Sequence, residues 1–421
     1  MGKILKSIFA KILLTAFLIS VQLIAQEKST VPVLALSQST QLYGMGQVGS
    51  AITFNDPSAF YHNPANLGFQ SREINFASSF LTKEVEWLGD FGKGFPSLKT
   101  ESFMLGYKFK GNPISIGFAH SKARYDFQTE LWNPNTLLYP YYYAENFTKI
   151  NTYSIGISYE YYAIFSLGFS NKVFENSLGG YTESGWRPFN RTSSAQDYGV
   201  MAVLPISKLW LENYNWNLQN DIKLKPLANF SIGISVLNCG EKIYYIDQAA
   251  SDPIPKSARF GYNINLGLDL VYNDQKLNAI NYFFIADAED ILIEQRDTNL
   301  DYQIEYQNIL SDLKPFENLI QLKGNDRIIV HKSTRLELFE SLYLTWGSYN
   351  WREQKMDVTS SGLGVSSNGL LKAINMIIRN DLIQFISNHF AIEYVNSVSF
   401  KGTEYETEFS SINLYIKNFT F

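Results

Sequence analysis

Few residues in this sequence could carry out chemistry, and they are widely spaced. The four histidines stand far apart, and no two of them have the spacing of metal ligands: His62, His120, His331 and His389. The single cysteine, Cys239, excludes an intrachain disulfide and any cysteine-based zinc or iron–sulfur cluster. No Gly-x-Ser-x-Gly elbow and no distinct carboxylate pair is present. We therefore expect no catalytic residue, metal or cofactor and a protein that is not an enzyme, although a serine–histidine site assembled only by folding stays open.

One stretch matches a nucleotide-binding fingerprint, but its surroundings do not fit. Residues 44–49 read Gly-x-Gly-x-x-Gly, with Gly44 and Gly46 in the first two glycine positions. That fingerprint binds pyrophosphate only between a strand and a long helix. Asp56-Pro57 soon ends any helix, and Asn63-Pro64-Ala65 starts a second turn, because proline disfavours a helical residue before it. We expect a turn-rich segment whose glycines allow close backbone packing, for example inside a barrel mouth.

Most of the chain alternates apolar and small polar residues, which is the pattern of β-strands. In segments 103–110, 114–121, 153–161, 230–236 and 258–266, one face carries Phe, Tyr, Ile and Leu and the other mostly Gly, Ser and Asn. A transmembrane antiparallel β-barrel needs this division between lipid and lumen. A secreted β-sandwich or propeller also alternates, but no repeat of 40–50 residues supports a propeller. The fold class is therefore predicted as all-β.

The two ends of the chain indicate an outer-membrane location. Lys3, Lys6 and Lys11 precede an apolar run over residues 12–25, which predicts a signal peptide of residues 1–25. No later apolar run is long enough for a membrane-spanning helix. The last strand is predicted over residues 411–421, with Tyr415, Phe419 and Phe421 on one face, and outer-membrane barrels resemble this in ending on Phe. Phe421 is thus the predicted membrane-insertion terminus.

Composition and charge say which partners to expect. Charged residues make up 18% of the chain, the net charge is −5, and no basic stretch stands out, so nucleic acid is not an expected partner. Residues 287–325 hold nine acidic and three basic residues, too much charge for hydrocarbon. We expect them to form an extramembrane excursion with short amphipathic helices. Its acidic surface is either a partner site or a solvated loop.

Three places in the sequence resemble motifs of one family of barrels. Residues 43–67, with Gly44, Gly46, Asp56-Pro57 and Asn63-Pro64-Ala65, resemble the N-terminal signature of the FadL superfamily. A strand that ends Asn-x-Gly, a loop with prolines and a strand with Arg-x-Gly resemble the PorV/PorQ branch; the residues are Asn238, Gly240, Pro253, Pro255, Arg259 and Gly261. Residues 335–349 are similar to a late hairpin of that branch. Asn66 and the long acidic excursion depart from the family pattern.

The resemblance implies an architecture and two functions. It implies a barrel of about 14 strands over residues 73–421, with residues 26–72 as a plug or hatch in the lumen. In the PorV/PorQ branch, the barrel serves type IX protein secretion, as a non-enzymatic partner of a large outer-membrane translocon that transfers cargo to the surface. The alternative is a FadL-like channel for long-chain fatty acids or other hydrophobic small molecules. A structural outer-membrane protein without cargo is a third possibility. The implied location is the outer membrane of a Gram-negative, Bacteroidota-like bacterium, in contact with its lipid.

Overall fold

A computed structural model describes residues 31–87, 97–132, 141–182, 185–218, 222–244, 251–272, 275–298, 301–308, 312–325, 327–351 and 356–419. Within these residues, fourteen long antiparallel strands form one sheet. They are β1 Ile74–Leu81, β2 Ser97–Lys108, β3 Ile114–Trp132, β4 Tyr141–Glu160, β5 Ile164–Thr182, β6 Gly185–Leu204, β7 Lys223–Gly240, β8 Ser257–Tyr272, β9 Gln275–Ile291, β10 Ile328–Leu338, β11 Leu342–Trp351, β12 Met356–Ser366, β13 Phe390–Ser399 and β14 Thr407–Lys417. Short strands Val85–Glu86 and Trp216–Asn217 add to β2 and β7.

The sheet closes on itself. Each strand pairs with its neighbours in sequence, and β1 pairs with both β14 and β2. Closure leaves no sheet edge, so the backbone hydrogen bonds of the strands are made within the wall, as a membrane span requires. The predicted antiparallel barrel is confirmed.

The two faces of the wall differ as the alternation predicts. On β4, Tyr153, Ile155 and Ile157 point outward and are 42–55% exposed, whereas Ser154 and Ser158 point inward and are buried. The same division holds on β2, where Phe103 and Leu105 are exposed and Met104 is buried. Exposed aromatic and aliphatic side chains therefore form an apolar outer band, which is the lipid-facing surface of a transmembrane barrel.

The N-terminal segment, residues 31–72, is enclosed by the sheet. It contains a 3₁₀ turn Pro32–Ala35, α1 Thr40–Gly44, a 3₁₀ turn Ala59–Tyr61 and α2 Ala65–Gln70. α1 packs against β12 and β13, and α2 against β3, β4 and β5. Residues 1–30, which include the predicted signal peptide and the first residues of the predicted plug, lie outside the described residues.

The two ends of the barrel differ in the length of their connections. Turns 109–113, 161–163 and 339–341 lie at the end where β14 finishes, and connections such as 241–256 and 292–327 lie at the other. Outer-membrane barrels place short turns in the periplasm and long loops outside, which orients this one. The periplasmic end also carries α3 Ile206–Trp210, α4 Ser367–Ile378 and α5 Asp381–His389. Across the described chain, no helix has the length and apolarity to cross a membrane.

The structure changes two details of the sequence prediction. Residues 287–291 belong to β9, so the excursion starts later than expected. Amphipathic helices were expected in it, but the described part forms a hairpin of Ile293–Thr298 with Asp301–Tyr306 and one π-helical turn, Phe316–Ile320. The alternation on β14 also has the opposite sense, because Asn413 and Tyr415 are buried inside and Leu414 faces outward. A polar partner decides this, since the Tyr415 hydroxyl donates to Glu393 Oε2 across the lumen face (3.0 Å). Phe421 lies outside the described residues.

Candidate functional site in the barrel lumen

A belt of glycines lines the inner wall where the N-terminal segment comes closest. Five of them are directly paired across β2 to β6, in the order Gly106, Gly117, Gly156, Gly168 and Gly199. A Cβ atom on Gly168 would overlap the Pro64 carbonyl, and one on Gly199 would overlap Asn63 Oδ1. The wall is therefore free of side chains along this belt so that the backbone of residues 63–71 can lie directly on the strands.

The predicted turn Asn63-Pro64-Ala65 fastens the segment to this belt. Asn63 Nδ2 donates to Ser50 O (2.6 Å) and to Val200 O in β6 (3.3 Å), while its Oδ1 accepts from Ala65 N (3.0 Å). Pro64 lies against Gly168, and Ala65 packs with apolar residues of β5 and β6. One amide side chain thus joins two parts of the segment to the wall.

The other predicted residues of the segment contact the opposite wall or one another. Gly44 faces β11 to β13, where an added Cβ would be 2.7 Å from Ser397 Oγ. Gly46 has φ +63°, and an added Cβ would be 2.7 Å from Ser348 N. Both the left-handed backbone and the lack of space therefore disfavour a side chain at this position. Asp56 accepts from Ser39 Oγ and, at 2.9 Å, from Ser58 N in the turn that starts at Pro57.

Asn238 is the centre of a buried polar cluster at the extracellular half of the lumen. Its backbone is left-handed (φ +56°), its N–H donates to Asp197 Oδ1 (2.7 Å), and its Oδ1 accepts from Lys172 Nζ (2.7 Å). Lys172 Nζ also pairs with Asp197 Oδ2 at 3.0 Å and lies 3.9 Å from the centre of the Tyr61 ring. This cluster therefore links β5, β6 and β7 to the N-terminal segment.

The loop with prolines meets the same cluster. Asn238 Nδ2 donates to Pro255 O (2.9 Å) and to Leu34 O (3.4 Å). Pro253 precedes Ile254, which is fully buried, and an added Cβ on Gly240 would be 2.7 Å from Ile254 Cδ1. The Asn-x-Gly and proline motifs therefore hold residues 253–255 against this cluster.

Arg259 is the centre of a second buried cluster. Its Nη1 donates to Gln47 O (2.9 Å) and faces His62 Nδ1 (2.9 Å), and its Nη2 donates to Glu289 Oε2 (2.6 Å). Glu289 also contacts His331 Nε2 at 3.2 Å. Burial, followed by the nearby Arg259 charge, lowers the pKa of His62 well below its usual value. His62 is therefore neutral near pH 7, and its Nδ1 accepts from Arg259.

Beside this cluster, Asp287 binds the backbone of the segment. Its Oδ2 accepts from Gly49 N (2.7 Å), Ser50 N (2.9 Å) and Ser50 Oγ (3.0 Å). The carboxylate lies over Gly261, where a Cβ would overlap Asp287 Oδ1. The third glycine of the nucleotide-like fingerprint thus binds a carboxylate of the wall.

An apolar chamber lies under the extracellular mouth. Inward side chains of six strands meet there: Leu98, Tyr125, Ile150, Phe174, Ala195 and Phe409. Residues 31–36 occupy the chamber, where Leu34 is fully buried, and the Tyr43 ring stacks on Phe409 with centroids 3.8 Å apart. Barrel lumens are usually polar, so an apolar compartment here needs an explanation.

The periplasmic half of the lumen is polar by contrast. A cavity of about 450 Å³ is lined by charged residues of several strands, among them Asp269, Lys276, Glu337 and Glu393. On its extracellular side, Arg335 Nη1 donates to Gln41 Oε1 of the segment (2.6 Å). The lumen-facing side chains therefore change from apolar to charged along the barrel axis.

The polar contacts described above hold the N-terminal segment to the barrel wall. Sequence reasoning missed Lys172, Asp197, Asp287, Glu289 and Arg335 as anchors, although each occupies a lumen-side position of an alternating strand, which was the available signal. In the part of the chain described here, no group of three or more His, Cys, Asp or Glu side chains is arranged to hold a metal ion.

Comparison with known proteins gives remote structural neighbours. No protein-family model matches the sequence, and no curated protein matches it. The Ralstonia pickettii toluene transporter TbuX has 12% identity and a TM-score of 0.39, over 94% of this chain and 100% of its own. The Pseudomonas putida toluene transporter TodX has 11% sequence identity and a TM-score of 0.37, over 91% of this chain and 97% of its own. A Pseudomonas aeruginosa FadL homologue has 9% sequence identity and a TM-score of 0.40, over 92% of this chain and 99% of its own. Similarity at this level says nothing about function.

Proposed function

We propose that this barrel is an outer-membrane channel for hydrophobic small molecules, with the N-terminal segment as its plug. The observation that carries the proposal is the apolar chamber under the extracellular mouth. Side chains of the barrel wall, such as Ile150 and Phe174, make this part of the lumen apolar, and residues 31–36 are its present occupant. A hydrophobic solute that replaced those residues would bury its surface as they do.

The attachment of the segment supports a plug that can move. Among the described residues, several buried polar atoms along its contact with the wall have no hydrogen-bond partner, including His62 Nε2 and Arg259 Nε. Such atoms weaken an interface, because each loses its bonds to water without full replacement. The charged periplasmic cavity would oppose straight passage of an apolar solute, so the proposed route leaves the lumen above it. The resemblance to the FadL superfamily agrees with this function.

The test is uptake of a radiolabelled long-chain fatty acid by cells that express the barrel. Ile150→Gln places an amide in the chamber, whereas the control Ile157→Gln changes the outer face of the same strand. We expect uptake above barrel-free cells, reduced severalfold by Ile150→Gln and little changed by the control. Folding of each variant is checked by heat-modifiability on a gel. Uptake equal to that of barrel-free cells would contradict the proposal.

A second proposed function is the PorV/PorQ-like role in type IX protein secretion. The favouring observation is how firmly the lumen is occupied, since the Asn63, Asn238, Arg259 and Asp287 bonds hold the segment to many strands. A secretion component that only presents its rim to a translocon and to cargo needs no open lumen.

One experiment separates the two functions. The barrel is pulled down from detergent-solubilised outer membranes, and both proteins and lipids are identified by mass spectrometry. A very large co-purifying barrel would favour secretion, and bound fatty acid or hydrocarbon alone would favour uptake. Recovery of neither would favour a structural outer-membrane protein without cargo.

A further inference from the structure

A groove runs along the outside of the barrel wall, close to its extracellular end. It consists of two adjoining cavities of about 750 and 400 Å³, which share Lys332, Ser348 and Thr359. These three side chains face outward from β10, β11 and β12 and lie side by side, because Lys332 pairs with Ser348 and Ser348 with Thr359. The groove is separate from the lumen described above.

One level closer to the membrane centre, the groove becomes apolar. Trp346 lies two residues from Ser348 on β11 and is 49% exposed. It pairs with Thr334, which pairs in turn with Phe284 on β9, so both rings belong to one outward-facing row. A polar row therefore stands directly above an aromatic floor, as at the boundary between lipid head groups and acyl chains.

A folded part of the excursion forms one side of the groove. Residues 312–325 turn back onto the outer wall, where Leu319 packs against Ala286, Ala288 and Ile328. The Tyr262 hydroxyl donates to Leu319 O (3.3 Å). Leu322 and Asn325 then line the groove itself. The acidic excursion thus covers part of the wall and leaves a bounded groove beside it.

Two exposed lysines bring positive charge to the groove. Lys332 and Lys401 are both exposed, and Lys401 Nζ donates to Ser361 Oγ (3.3 Å) on the outer face of β12. Neither ammonium has a carboxylate within 4 Å among the described residues. Asp357, the acidic residue that lines the larger cavity, is bonded to Asn350 Nδ2 (2.8 Å). Ammonium groups at a lipid boundary bind anionic head groups.

We propose that this groove binds one phosphorylated glycolipid of the outer leaflet. Lys332 and Lys401 contact its phosphate, and an acyl chain lies against Trp346 and Phe284. The position at the extracellular end selects the outer leaflet as the source. This inference depends on the barrel lying in the outer membrane and is independent of whether it transports solutes or serves secretion.

The test is native mass spectrometry of the full mature protein in detergent, titrated with diphosphoryl lipid A. The variant is Lys332→Gln/Lys401→Gln. The control is Lys122→Gln/Lys149→Gln, which removes two outward lysines of β3 and β4 that pair with Glu101 (3.9 Å) and Glu175 (3.6 Å). We expect the dissociation constant to rise about tenfold or more in the first variant and to change less than about twofold in the control.

Further arms identify the chemistry of the ligand. Dephosphorylated lipid A should bind the natural protein as weakly as diphosphoryl lipid A binds the lysine variant. Trp346→Ala should weaken binding of both lipids, because it removes contact with the acyl chain. Equal binding of phosphorylated and dephosphorylated lipid, or equal binding by the natural protein and the lysine variant, would each overturn the proposal.

Discussion

Replacing Lys172 by methionine should destabilise the barrel more than any surface change. Lys172 and Asp197 are both fully buried, with Nζ and Oδ2 3.0 Å apart. At an effective dielectric constant of 20 this separation corresponds to an attraction of about 5.5 kcal/mol, which is offset by several kcal/mol of lost hydration for each ion. The pair is therefore near balance as a whole, but either member alone is a buried, uncompensated charge.

The expected magnitudes follow from this balance. Lys172→Met should lower the free energy of unfolding by about 3–5 kcal/mol, because the buried Asp197 carboxylate loses its cationic partner and keeps the bond from Asn238 N. Asp197→Asn, which keeps that acceptor, should also destabilise, since it leaves the ammonium unpaired. In the double variant, no unpaired charge remains, so its loss should be smaller than the sum by about 2–3 kcal/mol.

The measurement is a double-mutant cycle from urea unfolding in detergent micelles, followed by tryptophan fluorescence. Leu167→Ala, on the outer face of the same strand, serves as a control for changes in detergent contact. Strictly additive losses in the double variant would refute the assignment of Lys172 and Asp197 as an electrostatic pair.

Three further results are expected. The pKa of His62 is lower in the folded chain than in the unfolded one, so unfolding at low pH takes up a proton. The contribution of His62 to stability should therefore be full above about pH 6.5 and decrease as the pH falls below that value. The urea midpoint should be lower at pH 5 than at pH 7.5, and this difference should be smaller in His62→Asn. Gly168→Ala should lower the heat-modifiable fraction on a gel, since its Cβ meets the Pro64 backbone, whereas Leu167→Ala should not. Asn63→Leu should likewise impair assembly, and a fully heat-modifiable Asn63→Leu protein would argue against Asn63 as an anchor.

The barrel could be predicted from the sequence because lipid and lumen impose opposite demands on neighbouring residues. Tyr153, Ile155 and Ile157 alternate with small residues in the sequence, and the structure places them on the outside. The exception on β14 shows the limit of this reasoning. Tyr415 is aromatic yet faces inward, because a buried carboxylate of β13, Glu393, accepts from its hydroxyl. Aromatic character alone does not say which side of the wall a tyrosine occupies.

The lumen shows what the sequence could indicate only in part. Glycines and turn residues of the N-terminal segment indicated close packing, but not which wall they would meet. Gly46 lies against β11 and Gly49 against Asp287 of β9, contacts that join residues more than 230 positions apart. Such pairs carry no local periodicity, so no short motif reveals them.

By itself, the sequence determined the class of fold, since the period of two and the small polar face admit few arrangements other than a closed sheet. Only the tertiary structure decided which charged residues meet. Lys172 and Asp197 lie on neighbouring strands of the wall, and Arg259 on β8 contacts His62 of the N-terminal segment. The reason is physical: alternation is set by each residue's own transfer between lipid and water, whereas a buried ion pair exists only once strand register and barrel closure have fixed both partners.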